Sequence, residues 1–133
     1  MAVLRAPIAR PLPPDVELQR VLMTRLNVLL VGDDAVAELC LESIRPALIG
    51  PVVTHRPSRH LNLWAMPART VILQRIDNLT LQDQHNLNNW MHLTKGVTQV
   101  ISTSASSVLP LVDRGAFLRM LYYRLNTICV ELT

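Results

Sequence analysis

Five short apolar runs are the sequence feature that most constrains the fold of this chain. They are NVLLV (27–31), PVVTH (51–55), TVIL (70–73), TQVIS (98–102) and ICVEL (128–132). The runs are continuous rather than alternating, which is typical of parallel strands that are covered on both faces. Segments with the apolar spacing of helices lie between most of them. This order predicts a three-layer α/β fold, an open and mostly parallel five-stranded sheet with helices on both faces.

Length and composition favour a single domain. The chain has 133 residues, half of them apolar, which is enough for one core. Residues 1–14 are rich in proline and lack periodicity, so we expect an extended arm or linker there and the domain over residues 15–133. Arginine and proline interrupt the arm where a signal peptide needs an apolar stretch, and no run is long enough to span a bilayer. Cys40 and Cys129 lie in apolar contexts, as reduced core cysteines do. We therefore expect a cytoplasmic protein with no membrane partner.

The charged residues give no sign of a nucleic-acid or metal site. The net charge is +3, and Lys95 is the only lysine among 13 basic residues that are spread along the chain. A nucleic-acid surface usually has a denser basic stripe with interleaved aromatic residues, so we expect no nucleic-acid partner. The four histidines lack the spacing of metal ligands, so we expect no metal. They are His55, His60, His85 and His92.

Two helix starts have clear capping signals. Asp33 and Asp34 follow the first buried run, and either side chain can accept hydrogen bonds from free amides of the next helix. Thr80 followed by Asp83 has the pattern of a capping box.

The segment RGAFLRMLYYRLN (114–126) has an unusual order of residues. Its apolar positions recur at the spacing of one helix face. The order resembles the Gly-x-Phe-Arg-x-x-Leu-Tyr-Tyr-Arg-Leu-Asn run of the AAA+ ATPase domain of bacterial enhancer-binding proteins, the activators of sigma-54 RNA polymerase. The resemblance covers about residues 26–132 and is strongest from Thr70 onward, where Gln84 and Leu87 also match family positions. It implies the P-loop NTPase fold of an AAA+ core.

The phosphate-binding loop of that family is altered in this chain. Gly32 matches the first glycine, but Ala37 replaces the glycine before the lysine, Glu38 the lysine, and Leu39 the magnesium-binding hydroxyl residue. With the two aspartates that follow Gly32, the loop offers three carboxylates where a nucleotide brings negative charge. Like charges at short range repel, so we expect no nucleotide cofactor.

The catalytic carboxylates implied by the resemblance are also missing. The family ends its third strand with Asp-Glu, which binds magnesium and activates the attacking water. Gln74 and Arg75 stand there, and neither binds magnesium or acts as a general base at neutral pH. Ala105 replaces a polar asparagine near the γ-phosphate. We therefore expect no catalytic residues and no enzymatic activity.

The segments by which members of that family contact other subunits and the sigma factor are reduced in this chain. Of two family arginines that reach the next subunit's nucleotide, the first position is Leu118 and the second is Arg124, a candidate subunit-interface residue. Residues 56–69 leave no room for the insertion that engages the sigma factor. The sequence ends at Thr133, so we expect no helical lid.

Three hypotheses follow. The favoured one is a non-catalytic regulatory or protein-interaction domain related to sigma-54-dependent activators, with a protein partner or self-association. The second is a degenerate response-regulator receiver, because LLVGDD and VISTSAS are similar to receiver strands, although Gln74 stands where the phosphorylated aspartate should be. The third is a nucleotide-binding protein with a non-standard loop, which Glu38, Gln74 and Arg75 argue against.

Overall fold

The computed structural model describes residues 2–6, 16–56, 61 and 68–132. All neighbouring strands of its six-stranded sheet are parallel, in the order β1-β6-β2-β5-β4-β3. The strands are β1 Ala2–Ala6, β2 Val28–Val31, β3 Val52–His55, β4 Thr70–Leu73, β5 Gln99–Ser104 and β6 Ile128–Leu132. The five apolar runs all form strands, which confirms the predicted parallel α/β sheet.

Within the described ranges, five α-helices connect or flank these strands. They are α1 Val16–Met23, α2 Asp34–Ile44, α3 Leu81–Leu93, α4 Leu109–Asp113 and α5 Arg119–Leu125. Short 3-10 turns at Arg45–Ala47 and Ile76–Asn78 were not predicted. No helix within the described ranges is both long and apolar enough to cross a membrane.

The two predicted caps are present. The Asp33 carboxylate accepts a hydrogen bond of 2.9 Å from the amide of Val36 at the start of α2. The Thr80 hydroxyl accepts one of 3.1 Å from the amide of Asp83 at the start of α3. Each bond satisfies an amide that has no partner within its own helix.

The central strands separate two apolar cores. On one face, strand side chains pack against α3, α4 and α5; these side chains are Leu29, Val71, Leu73 and Val100. On the other face they pack against α1 and α2; these are Val28, Leu30, Ile72, Ile101, Ile128 and Val130. Successive residues of a strand point to opposite faces, so both faces of the sheet need apolar side chains. The prediction of helices on both faces is confirmed.

Strand β1 was not predicted. Residues 2–6 lie within the segment interpreted as a proline-rich arm, but they pair in parallel with β6, from Ala2 opposite Ile128 to Ala6 opposite Leu132. An edge strand obtains its hydrogen bonds from one neighbour and needs no apolar pattern of its own, so its sequence carried little signal. The remainder of the arm over residues 7–14 lies outside the described residues, as does most of the 56–69 segment, including His60.

The strand order contradicts the receiver hypothesis. In the receiver-type fold the first strand lies between the second and the third, because the order is 2-1-3-4-5. Here β2, the first strand of the predicted domain, lies between β6 and β5. The similarity of LLVGDD and VISTSAS to receiver strands therefore does not extend to the topology.

Burial of Cys40 makes the stability of the domain depend on pH. Its side chain has no exposed surface on α2, and desolvation raises the pKa of the thiol from 9.0 to about 11. The unfolded chain loses this proton at lower pH than the folded chain. The stabilisation is therefore complete below about pH 9 and is lost as the pH rises towards 11.

We expect the Cys40 thiol to contribute a loss of about 2–3 kcal/mol in the free energy of unfolding across this pH interval. Urea unfolding of the wild type and of Cys40→Ala at a series of pH values gives the free energy of unfolding of each protein as a function of pH. The contribution of the thiol is the difference between the two pH profiles. Cys129, whose pKa is also raised by burial, is present in both proteins and cancels. Parallel pH profiles would contradict the prediction.

Candidate functional site at the carboxyl edge of the sheet

The altered phosphate-loop positions lie where β2, β5 and β6 end side by side. The amide of Gly32, just after β2, donates a hydrogen bond of 3.0 Å to the carbonyl of Ser104 at the end of β5. A Cβ atom on Gly32 would lie 2.9 Å from the Cβ of Leu132 in β6, which is too close for any other residue without movement. The close approach of β6 therefore accounts for a glycine at this position. In parallel α/β sheets this edge is the usual place for a ligand.

Arg75 follows β4 and links the second altered segment to the first. Its backbone is left-handed, with φ 55° and ψ 59°, and its amide donates to the Thr103 hydroxyl at 2.9 Å. Nη1 lies 3.1 Å and 3.2 Å from the two carboxylate oxygens of Asp34. Nε and Nη2 donate to the two oxygens of Asp77 at 3.0 Å and 3.1 Å. One guanidinium group thus joins the start of α2 to the turn after β4.

The Asp77 contact is the stronger half of this arrangement. The side chain of Asp77 is 14% exposed, whereas that of Asp34 is 70% exposed and is well screened by water. The hydrogen bond to Asp77 is the main cause that raises the pKa of Arg75 above its ordinary value. Asp77 was not among the site residues predicted from the sequence. The signal available was an Arg-x-Asp pair directly after a buried strand.

Gln74 and Glu38, one residue from each altered segment, are also in contact. Nε2 of Gln74 donates a hydrogen bond of 3.1 Å to Oε2 of Glu38, the residue at the lysine position. Ala37 is buried in α2, and Asp33 caps that helix. The site is therefore a set of contacts within the chain. No group of three metal-ligating side chains occurs within the ranges that the structure describes.

Arg124 is not part of this arrangement. It lies on α5 and lines a cavity with residues 24–27, which precede β2, and residues 98–100, which precede or begin β5. It is therefore at the amino edge of the sheet, opposite Gly32 and Arg75. The structure brings together the phosphate-loop positions with Gln74 and Arg75, and it separates Arg124 from them.

The comparison that decides the family covers nearly the whole chain. The sigma-54 interaction domain matches residues 15–133. The chain belongs to the sigma-54 interaction domain family. Searching the curated protein sequences gives no match.

Solved structures resemble this sigma-54 interaction domain in fold. NtrX from Brucella abortus in complex with ADP superposes with a TM-score of 0.69 at 17% identity, over 86% of this chain and 33% of that chain. Its complex with ATP gives a TM-score of 0.68 at 15% identity, over 90% and 36%. The P-loop NTPase domain of the sigma-54 transport activator from E. coli gives 0.55 at 17% identity, over 86% and 91%. The chain thus spans about a third of the NtrX chains, and at these identities the likeness shows the P-loop NTPase fold alone.

Proposed function

We propose that this domain is a non-catalytic regulatory or protein-interaction domain that neither binds nor hydrolyses ATP. The observation that carries the proposal is the position of Arg75. Its guanidinium, where the family has a catalytic carboxylate, is bound on both sides by Asp34 and Asp77. The positive charge of Arg75 is thereby neutralised by carboxylates of the same chain and is not available to a phosphate.

The start of α2 is also unsuited to a phosphate. In P-loop proteins, free backbone amides at the helix start and a lysine bind the phosphate oxygens. Here the Asp33 carboxylate already accepts from the Val36 amide, and Glu38 supplies negative charge at the lysine position. A triphosphate would have to displace Asp33 and approach Asp34 and Glu38, and like charges oppose both steps.

Nucleotide binding in the similar NtrX structures does not transfer to these positions. Those chains were solved with ADP and with ATP. Arg75 is fixed by four hydrogen bonds to carboxylate oxygens, so any phosphate would compete with Asp77 inside the same fork. A nucleotide-binding protein with a non-standard loop remains the alternative that the experiment below would reveal.

Exposed apolar side chains favour a protein partner or self-association in the cytoplasm. Two of them are on α5, where Met120 is 63% exposed and Tyr123 is 57% exposed. Large apolar side chains that cluster on a surface are a mark of interaction sites. Multi-angle light scattering over a range of concentrations tests self-association. We also propose that the contact with the sigma factor is lost, and co-elution with sigma-54 tests this.

Calorimetric titration of the purified chain with Mg·ATP and Mg·ADP tests the loss of nucleotide binding. We expect no saturable heat up to about 1 mM nucleotide, a concentration that corresponds to about 4 kcal/mol of binding free energy. Arg75→Ala is the matched variant, since it removes the one cation described within this site. Saturable binding of one nucleotide that Arg75→Ala abolishes would overturn the proposal and make Arg75 a phosphate ligand.

A further inference from the structure

A cavity of about 860 Å³ lies at the amino edge of the sheet, opposite the site described above. The end of α3 forms one wall, α5 forms another, and the residues just before β2 with the start of β5 form the floor. The volume is within the range of small-molecule sites in proteins. The proposed loss of ATP binding does not involve this cavity, although Met120 and Tyr123, which line it, are also among the exposed apolar side chains that favour a protein partner.

The charged groups that line the cavity are basic among the residues that the structure describes. They are Arg25, Lys95 and Arg124, and no aspartate or glutamate of the described ranges joins them. Arg25 is already bound, because its guanidinium donates to Gln99, to Thr70 and to the carbonyl of Arg69. Lys95 and Arg124 form no ion pair with any residue in the described part of the chain. Two cations that have no carboxylate partner therefore border the same space.

Most of the other lining surface is apolar and open to solvent. Leu26 is 45% exposed and Val97 is 67% exposed, and they join Met120 and Tyr123 around the cavity. A concave apolar surface with a few polar groups is the usual form of a small-molecule site. An apolar body of a ligand would cover these side chains and remove them from water.

Hydrogen bonds fix the shape of the cavity. Asn27 donates to the carbonyl of Arg124 at 2.9 Å, and its own side-chain oxygen accepts from the Val100 amide at 2.9 Å. Gln99 donates to the carbonyl of Leu26 at 2.9 Å. These bonds tie α5 and the start of β2 to β5. A ligand would therefore bind with little cost for ordering the protein.

The helix that ends at the cavity limits the charge of the ligand. Helix α3 ends at Leu93, and Met91 and His92 of its last turn line the space together with the C-cap residue Thr94. The partial negative charge at a helix carboxyl end disfavours anions, and multiply charged ones such as nucleotide phosphates most of all. A singly charged carboxylate is repelled less, and Lys95 and Arg124 offset that repulsion.

We propose that this cavity is a binding site for a small amphipathic carboxylate, an aromatic or branched hydrocarbon body that carries one anionic group. The carboxylate binds Lys95 and Arg124. The apolar body lies against Val97, Met120 and Tyr123. The ligand class is distinct from the nucleotides that the family fold suggests, and the site is at the other edge of the sheet.

Nuclear magnetic resonance titration with 1-naphthylacetate tests this proposal. We expect saturable shifts of backbone amides that line the cavity, one ligand per chain, and binding about tenfold weaker for the neutral 1-naphthylacetamide. Arg124→Gln and Lys95→Gln should each weaken the acid about tenfold while leaving the affinity for the amide unchanged. Arg119→Gln is the control, because Arg119 is exposed on the same helix and does not line the cavity.

Three results would overturn the assignment. They are the absence of saturable shifts at the cavity amides at about 1 mM ligand, equal affinity for the acid and the amide, and equal effects of Arg119→Gln and Arg124→Gln. The changed side chains are outside the two apolar cores, and circular dichroism of each variant verifies its fold. Tight binding of Mg·ATP in this cavity would also contradict the inference, and shifts at Gly32 instead would place the nucleotide at the other edge.

Discussion

Replacing Arg75 with alanine is expected to lower the free energy of unfolding by about 2–4 kcal/mol. The variant loses four hydrogen bonds to two carboxylates and leaves Asp77, only 14% exposed, with no cation beside it. A partly buried charge without its partner is costly because water cannot fully solvate it. Alanine introduces no new backbone strain, since arginine already occupies the left-handed conformation at φ 55°. Urea unfolding followed by circular dichroism measures the effect.

A double-mutant cycle separates the two halves of the contact. Asp34→Ala should cost less than about 1 kcal/mol, because its carboxylate is mostly in water. Asp77→Ala in the Arg75→Ala background should recover part of the loss, since it removes the isolated carboxylate. The coupling energy between Arg75 and Asp77 should then be about 1.5–3 kcal/mol. A coupling energy near zero, or a larger effect for Asp34 than for Asp77, would show that the ion pair does not stabilise the fold.

The sequence carried most of the architecture because buried parallel strands leave a direct signature. TVIL and ICVEL match β4 and β6 in both bounds, whereas TQVIS continues two residues further, to Ser104. Thr103 and Ser104 are buried polar residues, and an apolar pattern gives no reason to extend a strand through them. Apolar spacing also does not fix helix ends. Helix α1 ends at Met23, and the chain turns at Arg25 with φ 62°.

The contacts within the site could not be derived from local pattern. Arg75 and Asp34 are 41 residues apart, and Gln74 and Glu38 are 36 apart. The strands that precede them, β2 and β4, lie on either side of β5, so their carboxyl ends face the same edge of the sheet. The substitutions nevertheless contained a clue, since the acidic residue at the lysine position and the basic residue at the carboxylate position exchange charge sign in one site. Considered one at a time, these substitutions predicted only losses, whereas in the structure Glu38 contacts Gln74 and Arg75 contacts Asp34.

The two cores explain physically how the fold tolerates the substitutions at the carboxyl edge of the sheet. The strands are held by apolar packing on both faces, and the site residues lie at the edge of that packing. Substitution at the edge changes charge without opening a cavity in either core. The Arg75 contacts then supply, from within the chain, a link between α2 and the turn after β4.

Replacing Gln84 with methionine is expected to cost about 3–5 kcal/mol, a large part of the stability of a domain of this size. Gln84 is buried at 1% exposure in α3. Its side-chain nitrogen donates at 3.1 Å to the carbonyls of Leu79 and Ala116, and its oxygen accepts at 2.8 Å from the amide of Leu118. Methionine has nearly the same shape but leaves two carbonyls and one amide without this partner.

The expected consequence extends to α5. Leu118 is the residue before the first turn of α5 and has no side-chain cap of its own, so Gln84 fixes where that helix begins. Gln82→Met is the matched control, because Gln82 is exposed and its side chain bonds to the exposed side of the same helix at Asn86; its cost should stay within about 0.5 kcal/mol. Urea unfolding measures both variants. If Gln84→Met cost less than about 1 kcal/mol, water would be reaching these groups, and the start of α5 would not depend on α3.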